Sequence, residues 1–515
     1  MSKIAKGSFL ILIGNFIFRI GGYIYKFLMG ALLGPSAFGI LTFTLQFQGI
    51  LQVLAAGGIP PAIAKYISQY NAIGEENLAR ATIYVSLKIM LLLGIILGFL
   101  IIFVIAPFLS LNTGLNETMP GLLYPLQAVG FIVPFSVLVG AFRGAFQGVF
   151  KMEYILSTRA IEQVFMIVFA VLLVVLGYST VGAVFGSVIG FFASAVLSIF
   201  IFKKYMGKYI SKSDKNHRMS FHEELGLAKK IITFAIPVIV TSLAEMGIFA
   251  ISTFVISYLL GSVFTGYFGA ADPISRFPLI ISTSLATTIL PAVSAAFSTN
   301  NRKLLNSYVS LTYRYSMAIV IPMCIGISMF SYPILKLIFP NFTEAASVLS
   351  ILVIGMAFYS MFAISSSIIQ GVGNPRIPMY ILAIGTVATF LLNWFLIPIF
   401  GIVGGALANT IVCFLIMVPI LKLSFSLTKT KVPYKFFIKL LIATLIMIFL
   451  ILIIPQTILG LILAIVIIPL IYLLTLIFLN SFDEEDISFF LKFSSKLGPF
   501  SVIINNLVKL IRFRR

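Results

Sequence analysis

The chain has 515 residues, of which 60% are hydrophobic and only 10% are charged, whereas an average soluble domain is about 25% charged. A soluble globule of this size would lack the polar residues that must cover its surface, so the composition excludes a soluble fold. The formal net charge of +20 would suggest a nucleic-acid partner in a soluble protein, but in a membrane protein positive charge collects in cytoplasmic loops beside anionic lipid.

Apolar runs of about 20 residues, the length at which a helix crosses a bilayer, recur along the whole chain. We therefore predict an all-α integral membrane protein with about fourteen transmembrane helices. We interpret its Phe-rich helices, which share 50 Phe, as packing that faces lipid. The predicted spans are 8–30, 37–58, 81–106, 120–142, 154–176, 181–202, 231–259, 264–297, 307–336, 345–369, 376–399, 402–423, 435–454 and 457–479.

The loops between these spans sort by charge. If successive helices alternate in direction, one side of the membrane receives Lys3, Arg143 and the basic segment 203–230, whereas the loops 107–119 and 338–344 on the other side hold no Lys or Arg. The positive-inside rule then predicts a multi-pass protein of the cell membrane with both termini in the cytoplasm.

The first twelve predicted helices form a repeat of six. Short motifs recur at a nearly constant spacing of 223 to 230 residues. The matched pairs are Leu33-Gly34 with Leu260-Gly261, Gly39 with Gly266, Pro61-Ala62 with Pro291-Ala292, Pro107 with Pro333, Gln147-Gly148 with Gln370-Gly371, and Gly182-Ala183 with Gly405-Ala406. Because six is an even number, both repeats enter the membrane from the same side, which predicts two parallel six-helix lobes around a central cavity. That architecture favours an alternating-access transporter.

The repeat sets the predicted domain boundaries. The first lobe is 1–202, a basic cytoplasmic linker is 203–230, and the second lobe is 231–424. Two extra C-terminal helices, 13 and 14, occupy 425–480 outside the repeat. In the cytoplasmic tail 481–515, apolar residues recur at helical spacing, which predicts an amphipathic helix on the inner leaflet.

Four cationic residues fall inside predicted spans and away from the basic loops. Arg19 and Lys26 lie seven residues apart on the first helix and hence on one face. Arg276 lies midway along the eighth helix, and Lys336, near an outer helix end, is expected to snorkel to the interface. A charge at the bilayer centre costs at least about 2.5–3.5 kcal/mol, so such groups usually face a cavity or a partner. We therefore predict that Arg19, Lys26 and Arg276 bind an anionic headgroup, since the planar fork of Arg suits phosphate.

Two carboxylates accompany these cations. Asp272 lies one turn before Arg276, and Glu245 lies midway along the seventh helix. The alternative interpretation is structural: Asp272 and Arg276 would pair on one helix, and Arg19 would pair with Glu245. With all five groups ionised the net charge is +1, which suits a diphosphate only if a carboxylate is protonated or holds a metal cation.

Glycine- and proline-rich stretches follow one another in order along helices 1 to 12. They are Leu33–Gly39, Gly57–Tyr66, Arg143–Gly148, Gln370–Pro375 and Ile397–Ala406. In this order the set resembles polysaccharide flippases of the multidrug/oligosaccharidyl-lipid/polysaccharide exporter superfamily, and the extra helix pair fits the fourteen-helix branch.

The resemblance implies a transporter and not an enzyme. Its function would be to flip a lipid-(di)phosphate-linked sugar or polysaccharide repeat unit from the inner to the outer leaflet by alternating access. Relatives that move lipid-diphosphate sugars have essential basic residues on helices 1 and 8, the helices that hold Arg19, Lys26 and Arg276. The implied partners are the lipid-linked sugar, membrane lipid, and glycosyltransferases or a polymerase of the same pathway.

Ion coupling is a further implication of the resemblance. Some relatives couple transport to Na⁺ or H⁺ through polar groups on helices 7, 11 and 12, for which Glu245 and Asn393 are the nearest candidates, and Asp272 on helix 8 is a third. The predicted helix 11 has no carboxylate, which argues against a full sodium site. No other cofactor and no resident metal is expected.

Three other functions stay open. An ion-coupled multidrug or cation antiporter of the same fold would need a cavity dominated by carboxylates, whereas this cavity is more basic. A membrane polysaccharide polymerase or glycosyltransferase would need carboxylate or His clusters on a large outer loop, but the longest outer loop, 107–119, holds one acid, Glu117. A scaffold for cell-wall enzymes would need larger cytoplasmic loops.

Overall fold

The computed structural model describes residues 3–206 and 220–481, with side chains from residue 20 onward. Within those ranges the secondary structure is helical, with no β-strand. Three predictions lie outside the described residues: the surroundings of the Arg19 side chain, residues 207–219 of the basic linker, and the amphipathic tail.

Eighteen α-helices are found in the described residues. In chain order they are α1 (Lys3–Ala56), α2 (Ile59–Ala72), α3 (Glu76–Leu100), α4 (Ala106–Leu111), α5 (Leu115–Thr118), α6 (Leu123–Gly148), α7 (Met152–Leu173), α8 (Ser179–Tyr205), α9 (Phe221–Leu259), α10 (Ser262–Ser275), α11 (Phe277–Ser298), α12 (Arg302–Met329), α13 (Ser331–Ile338), α14 (Ala346–Gly371), α15 (Arg376–Phe400), α16 (Ile402–Thr428), α17 (Tyr434–Ile453) and α18 (Ile458–Phe478). Ile101–Ile105 and Val174–Tyr178 are π-helical, and Pro340–Ala345 is a 3₁₀ helix.

Twelve stretches of the described chain are long and apolar enough to cross a membrane, which confirms the prediction of a multi-pass helical protein. Two of them, Ile20–Ala72 with 53 residues and Met152–Tyr205 with 54, are more than twice the length that one crossing needs. Each is interrupted by a glycine in the left-handed region, at Gly34 (φ +70°) and Gly177 (φ +95°). Two crossings in each stretch would give fourteen, and that count stays a prediction.

The backbone repeats the internal symmetry of the sequence. Four left-handed turn residues in the first half have counterparts 223 to 227 residues later. The pairs are Gly34 with Gly261, Gly74 with Asn300, Phe150 with Gly373, and Gly177 with Gly401. Because a positive φ is uncommon for residues other than glycine, its recurrence at matched positions supports two structurally related halves.

The residues group into two compact units. Unit 1 comprises Met1–Pro273, Phe339–Glu344 and Leu382–Asn409, and unit 2 comprises Ile274–Ile338, Ala345–Ile381 and Thr410–Arg515. The lobe boundaries drawn from the repeat stay predictions.

Each unit has its own apolar core. In unit 1, α1, α4, α5 and α6 bury a cluster of Ile40, Phe43, Ala106, Leu115, Met119, Leu122 and Leu126. In unit 2, α12 and α14 pack with both extra helices, α17 and α18, around residues such as Met317, Val353, Met447 and Tyr472. The extra helix pair is therefore an integral part of the unit 2 core.

Several helix limits differ from the predicted spans for local reasons. Helix α9 begins at Phe221, ten residues before the predicted span, because Ser220 and Glu223 form a reciprocal capping box that satisfies its first N–H groups. The predicted span 264–297 is two helices, α10 and α11, which meet at Arg276. The predicted span 307–336 is likewise divided, into α12 and α13.

The interpretation of the Phe residues as lipid-facing is wrong for a set of fully buried rings. Phe38, Phe146, Phe268, Phe339 and Phe342 each expose at most 1% of their surface. Sequence composition could not separate these rings from the lipid-facing ones, because both occur in equally apolar stretches.

Candidate substrate-binding site

The site is built on the close packing of α1 and α10 within unit 1. A Cβ at Gly39 would lie 1.8 Å from the carbonyl oxygen of Ser262, and a Cβ at Gly266 would lie 2.0 Å from the carbonyl oxygen of Pro35. Ser36 Oγ and Ser262 Oγ are hydrogen-bonded at 2.8 Å. The glycine contacts are reciprocal between positions that the sequence repeat matches, so only glycine allows the two helices to approach this closely.

Lys26 and Asp272 face each other across these helices. Lys26 Nζ on α1 lies 3.8 Å from Asp272 Oδ2 on α10, and their side chains are 27% and 11% exposed. This separation is longer than a hydrogen bond, so the two groups form a loose ion pair.

The other two predicted cations are not brought to this pair by the described contacts. The Arg19 side chain lies outside the described residues. Arg276 follows Asp272 by four residues but belongs to unit 2, where it is the N-cap residue of α11 and its side chain is half-buried. The chain changes helix at Arg276 because Pro273 and Pro278 both lack the N–H that a continuous helix requires.

The candidate coupling residues on α9 and α15 have different environments. Glu245 is exposed on α9, next to the point where Thr386 Oγ1 donates a hydrogen bond to the Ala244 carbonyl at 2.7 Å. Asn393 on α15 is fully buried, and its Nδ2 donates to the Thr389 carbonyl at 2.7 Å. Asn393 Oδ1 accepts no hydrogen bond. The described contacts do not join Glu245 and Asn393 into one site.

A second charged cluster lies inside unit 1, between α6, α7 and α8. Arg143 Nη2 donates to Glu162 Oε2 at 2.6 Å, and its Nε donates to Thr158 Oγ1 at 3.1 Å. Ser194 Oγ lies 3.3 Å from the same guanidinium. Sequence reasoning placed Arg143 among inner-loop residues and missed this cluster, because the partners come from separate helices with no local motif.

A third ion pair joins the middle of α3 to the start of α9. Lys88 Nζ lies 2.8 Å from one Glu224 oxygen and 2.9 Å from the other, and the Lys88 side chain is 64% exposed. Such an exposed pair is screened by solvent and contributes little to stability.

Comparison with known proteins supports the fold. A family model described as "Polysaccharide biosynthesis protein" matches residues 4–297, and a model described as "MatE" matches residues 237–395. An uncharacterized membrane protein of Methanocaldococcus jannaschii is 27% identical over 419 residues, 79% of this chain and 95% of the relative. Lipid II flippase MurJ of Bacillus subtilis is 23% identical over 444 residues, 80% of each chain.

A solved structure has the same fold. Lipid II flippase MurJ in an inward closed conformation superposes with a TM-score of 0.70 at 18% identity, covering 90% of this chain and 98% of that chain. At this identity the likeness concerns the fold and not the substrate.

Proposed function

The chain belongs to the polysaccharide biosynthesis protein family, and on that premise we propose that it is a flippase. Its substrate is a lipid-(di)phosphate-linked sugar or polysaccharide repeat unit, which it moves from the inner to the outer leaflet by alternating access. The relative named lipid II flippase supports this substrate class.

The loose Lys26–Asp272 pair is the observation that supports a phosphate site. It lies between α1 and α10, on helices whose glycine motifs match in the repeat. In the proposed mechanism a phosphate group displaces Asp272 from Lys26, since a diphosphate offers more negative charge and more acceptor oxygens than one carboxylate. Arg19 and Arg276 stay predicted ligands of a phosphate headgroup.

The proposed site lowers the free-energy cost of moving a charged headgroup through the hydrocarbon core. Each unpaired charge at the bilayer centre costs at least about 2.5–3.5 kcal/mol, whereas the apolar lipid tail can stay in the bilayer. Displaced Asp272 then takes a proton or a cation, with Glu245 and Asn393 as further candidates for Na⁺ or H⁺ coupling. A cytoplasm-negative potential also favours outward movement of an anion.

The same proposal includes the orientation of the protein in the membrane and its pathway partners. The protein lies in the cell membrane with both termini in the cytoplasm, as the loop charges predict, and its two predicted lobes, 1–202 and 231–424, rock about the site. Glycosyltransferases that build the lipid-linked sugar on the inner face, and a polymerase that uses it on the outer face, are the proposed pathway partners.

A flipping assay tests the proposal. Purified protein is reconstituted into vesicles with a fluorescent polyprenyl-diphosphate sugar, and the fraction that becomes accessible to an impermeant quencher is followed with time. We expect Lys26→Gln to slow flipping by about tenfold or more, the worth of one hydrogen bond to a charged group. Lys151→Gln is the matched control, since Lys151 forms a similarly loose pair with Glu153 at 3.6 Å on the exposed surface. Absence of protein-dependent flipping would contradict the proposal. Equal flipping rates in Lys26→Gln and Lys151→Gln would also contradict it.

The ion-coupled multidrug or cation antiporter is the second candidate, because the MatE model matches residues 237–395. The same vesicles loaded with a fluorescent dye cation distinguish the two functions. Dye transport driven by a Na⁺ or H⁺ gradient, without movement of the lipid-linked sugar, would favour the antiporter.

A further inference from the structure

A six-residue segment between α13 and α14 belongs to a different compact unit from the residues on either side of it. Ile338 and Ala345 on either side belong to unit 2, whereas Phe339–Glu344 belongs to unit 1. All of the segment except Phe339 lies in the 3₁₀ helix Pro340–Ala345, and the Phe342 N–H donates to the Phe339 carbonyl at 2.9 Å. Its short turn places two apolar rings on one side and polar residues on the other.

Those two rings are completely enclosed within unit 1. Phe339 and Phe342 are both 0% exposed, and their centroids are 5.5 Å apart. By contrast, Pro340, Asn341 and Glu344 of the same segment are exposed. The segment thus buries its two rings and exposes these other residues. We call the residues that enclose the two rings the socket.

The socket is formed by α1 and α10. Phe339 packs edge-on against Phe27 at 5.3 Å, and Phe342 packs edge-on against Phe38 at 5.4 Å and Tyr267 at 6.2 Å. Together, α1 and α10 contact both rings of the segment.

The socket has no spare volume beside Phe339. A Cβ at Gly30 would lie 2.2 Å from Phe339 Cε1, so the ring occupies the space that any larger side chain would need. The socket is therefore filled while the rings stay in place.

The socket lies on the outer side of the Lys26–Asp272 pair on both helices. In the predicted orientation the part of α1 before Gly34 runs outward, so Gly30 lies about 6 Å farther out than Lys26 along the helix axis. Helix α10 runs inward, so Tyr267 lies about 7.5 Å farther out than Asp272. In this orientation both helices carry the ion pair nearer the inner face and the aromatic socket nearer the outer face.

We propose that Phe339–Glu344 is an aromatic outer seal, which closes the Lys26–Asp272 site from the outside and leaves its socket when the lipid-linked sugar is released. This inference rests on the proposed function and orientation. The seal keeps the outer leaflet separate from the site during loading, and ring contacts with Phe27, Phe38 and Tyr267 hold it in place.

Cysteine accessibility tests the seal. Cys324 and Cys413, both buried and free, are replaced by Ala, and Phe342→Cys is introduced into that full-length background. The protein is reconstituted with polyprenyl-diphosphate sugar, and an impermeant maleimide is added to the outer-face side. We expect labelling of Phe342→Cys to be slow without substrate and about tenfold faster during flipping, because the ring position is reached only when the segment opens.

Two matched positions calibrate the labelling. Asn116→Cys, on an exposed predicted outer loop, should label rapidly with and without substrate, and Met119→Cys, 1% exposed in the unit 1 core, should stay unlabelled in both conditions. Thr343→Cys, a nearly isosteric and half-buried position in the same segment, replaces Phe342→Cys if the latter does not fold.

The outcomes separate the two proposals. Absence of flipping in the unmodified protein contradicts the proposed function. Normal flipping in the chosen cysteine variant, with labelling that does not rise with substrate, overturns the seal alone. Rapid labelling without substrate, equal to that of Asn116→Cys, also overturns the seal, because the site would then be open to the outside at rest.

Discussion

At the scale of single residues, the ion pairs of unit 1 divide by distance and burial. The Arg143–Glu162 pair is short, at 2.6 Å, and its side chains are 16% and 3% exposed, whereas the Lys26–Asp272 pair is 3.8 Å long. Arg143 also donates to Thr158, so its hydrogen-bonding groups are held by the fold. The short pair is suited to hold three helices together, and the long pair is suited to exchange partners.

This contrast predicts a stability difference. Arg143→Ala removes the short ion-pair partner of the buried Glu162 carboxylate, which should destabilise the protein by about 3–5 kcal/mol. Lys88→Ala removes an exposed pair and should cost at most about 1 kcal/mol. Thermal unfolding of the purified variants in detergent measures both. Equal melting temperatures would contradict a structural role for Arg143.

The sequence singled out charged residues in apolar spans but not their contacts. Lys26 and Asp272 stood out because charges are rare in such spans, and their part in a binding site stays a prediction. The sequence suggested a pairing of Asp272 with Arg276, four residues away, and not with Lys26. The partner lies 246 positions away in the chain, and no local periodicity can indicate such a contact.

At the scale of elements, the contact of α1 with α10 depends on glycine. This predicts that Gly266→Ala, whose Cβ would meet the Pro35 carbonyl oxygen at 2.0 Å, destabilises the protein by about 1–3 kcal/mol or more through overpacking. Gly326→Ala in α12 is the matched control, because its Cβ would meet nothing within 4 Å. The control should be neutral or more stable by about 0.5–1 kcal/mol, since alanine favours a helix over glycine.

Melting temperatures and the yield of monodisperse protein report the result. If Gly266→Ala is as stable as Gly326→Ala, the close approach of α1 and α10 is not a requirement of the fold.

The interruptions within elements show the limit of hydropathy patterns. Hydropathy gave one predicted span at 264–297, because the residues are apolar throughout. The division into α10 and α11 at Arg276 arises from backbone chemistry at Pro273 and Pro278, which lack N–H donors. Proline indicates where a helix can break, but many proline residues in this chain remain inside helices, as at Pro237 in α9.

At the scale of the whole molecule, the repeat was the strongest sequence signal. Motifs spaced by 223 to 230 residues predicted two related halves, and the left-handed turns recur at a similar spacing. The aromatic segment Phe339–Glu344 could not be predicted, because its rings come from a short loop with no helical period. Its socket exists only when residues from distant helices are assembled.

Movement of a net anion across the membrane predicts a voltage dependence. Each elementary charge moved outward across an inside-negative potential gains about 2.3 kcal/mol per 100 mV. In vesicles, a K⁺ diffusion potential that is negative on the inner-face side should therefore accelerate flipping, and the reverse potential should slow it. A flipping rate unchanged by potentials of either sign would indicate that the loaded site moves no net charge.

A binding measurement on the purified protein tests directly whether Lys26 binds the phosphate headgroup. Equilibrium binding of a radiolabelled polyprenyl-diphosphate sugar is compared for the unmodified chain, Lys26→Gln and Asp272→Asn. Lys26→Gln should weaken binding by about tenfold or more. Asp272→Asn should tighten binding by up to about fivefold, since the competing pair is worth about 0.2–1 kcal/mol. Unchanged affinity in Lys26→Gln, or weaker binding in both variants to the same degree, would contradict a phosphate site at Lys26.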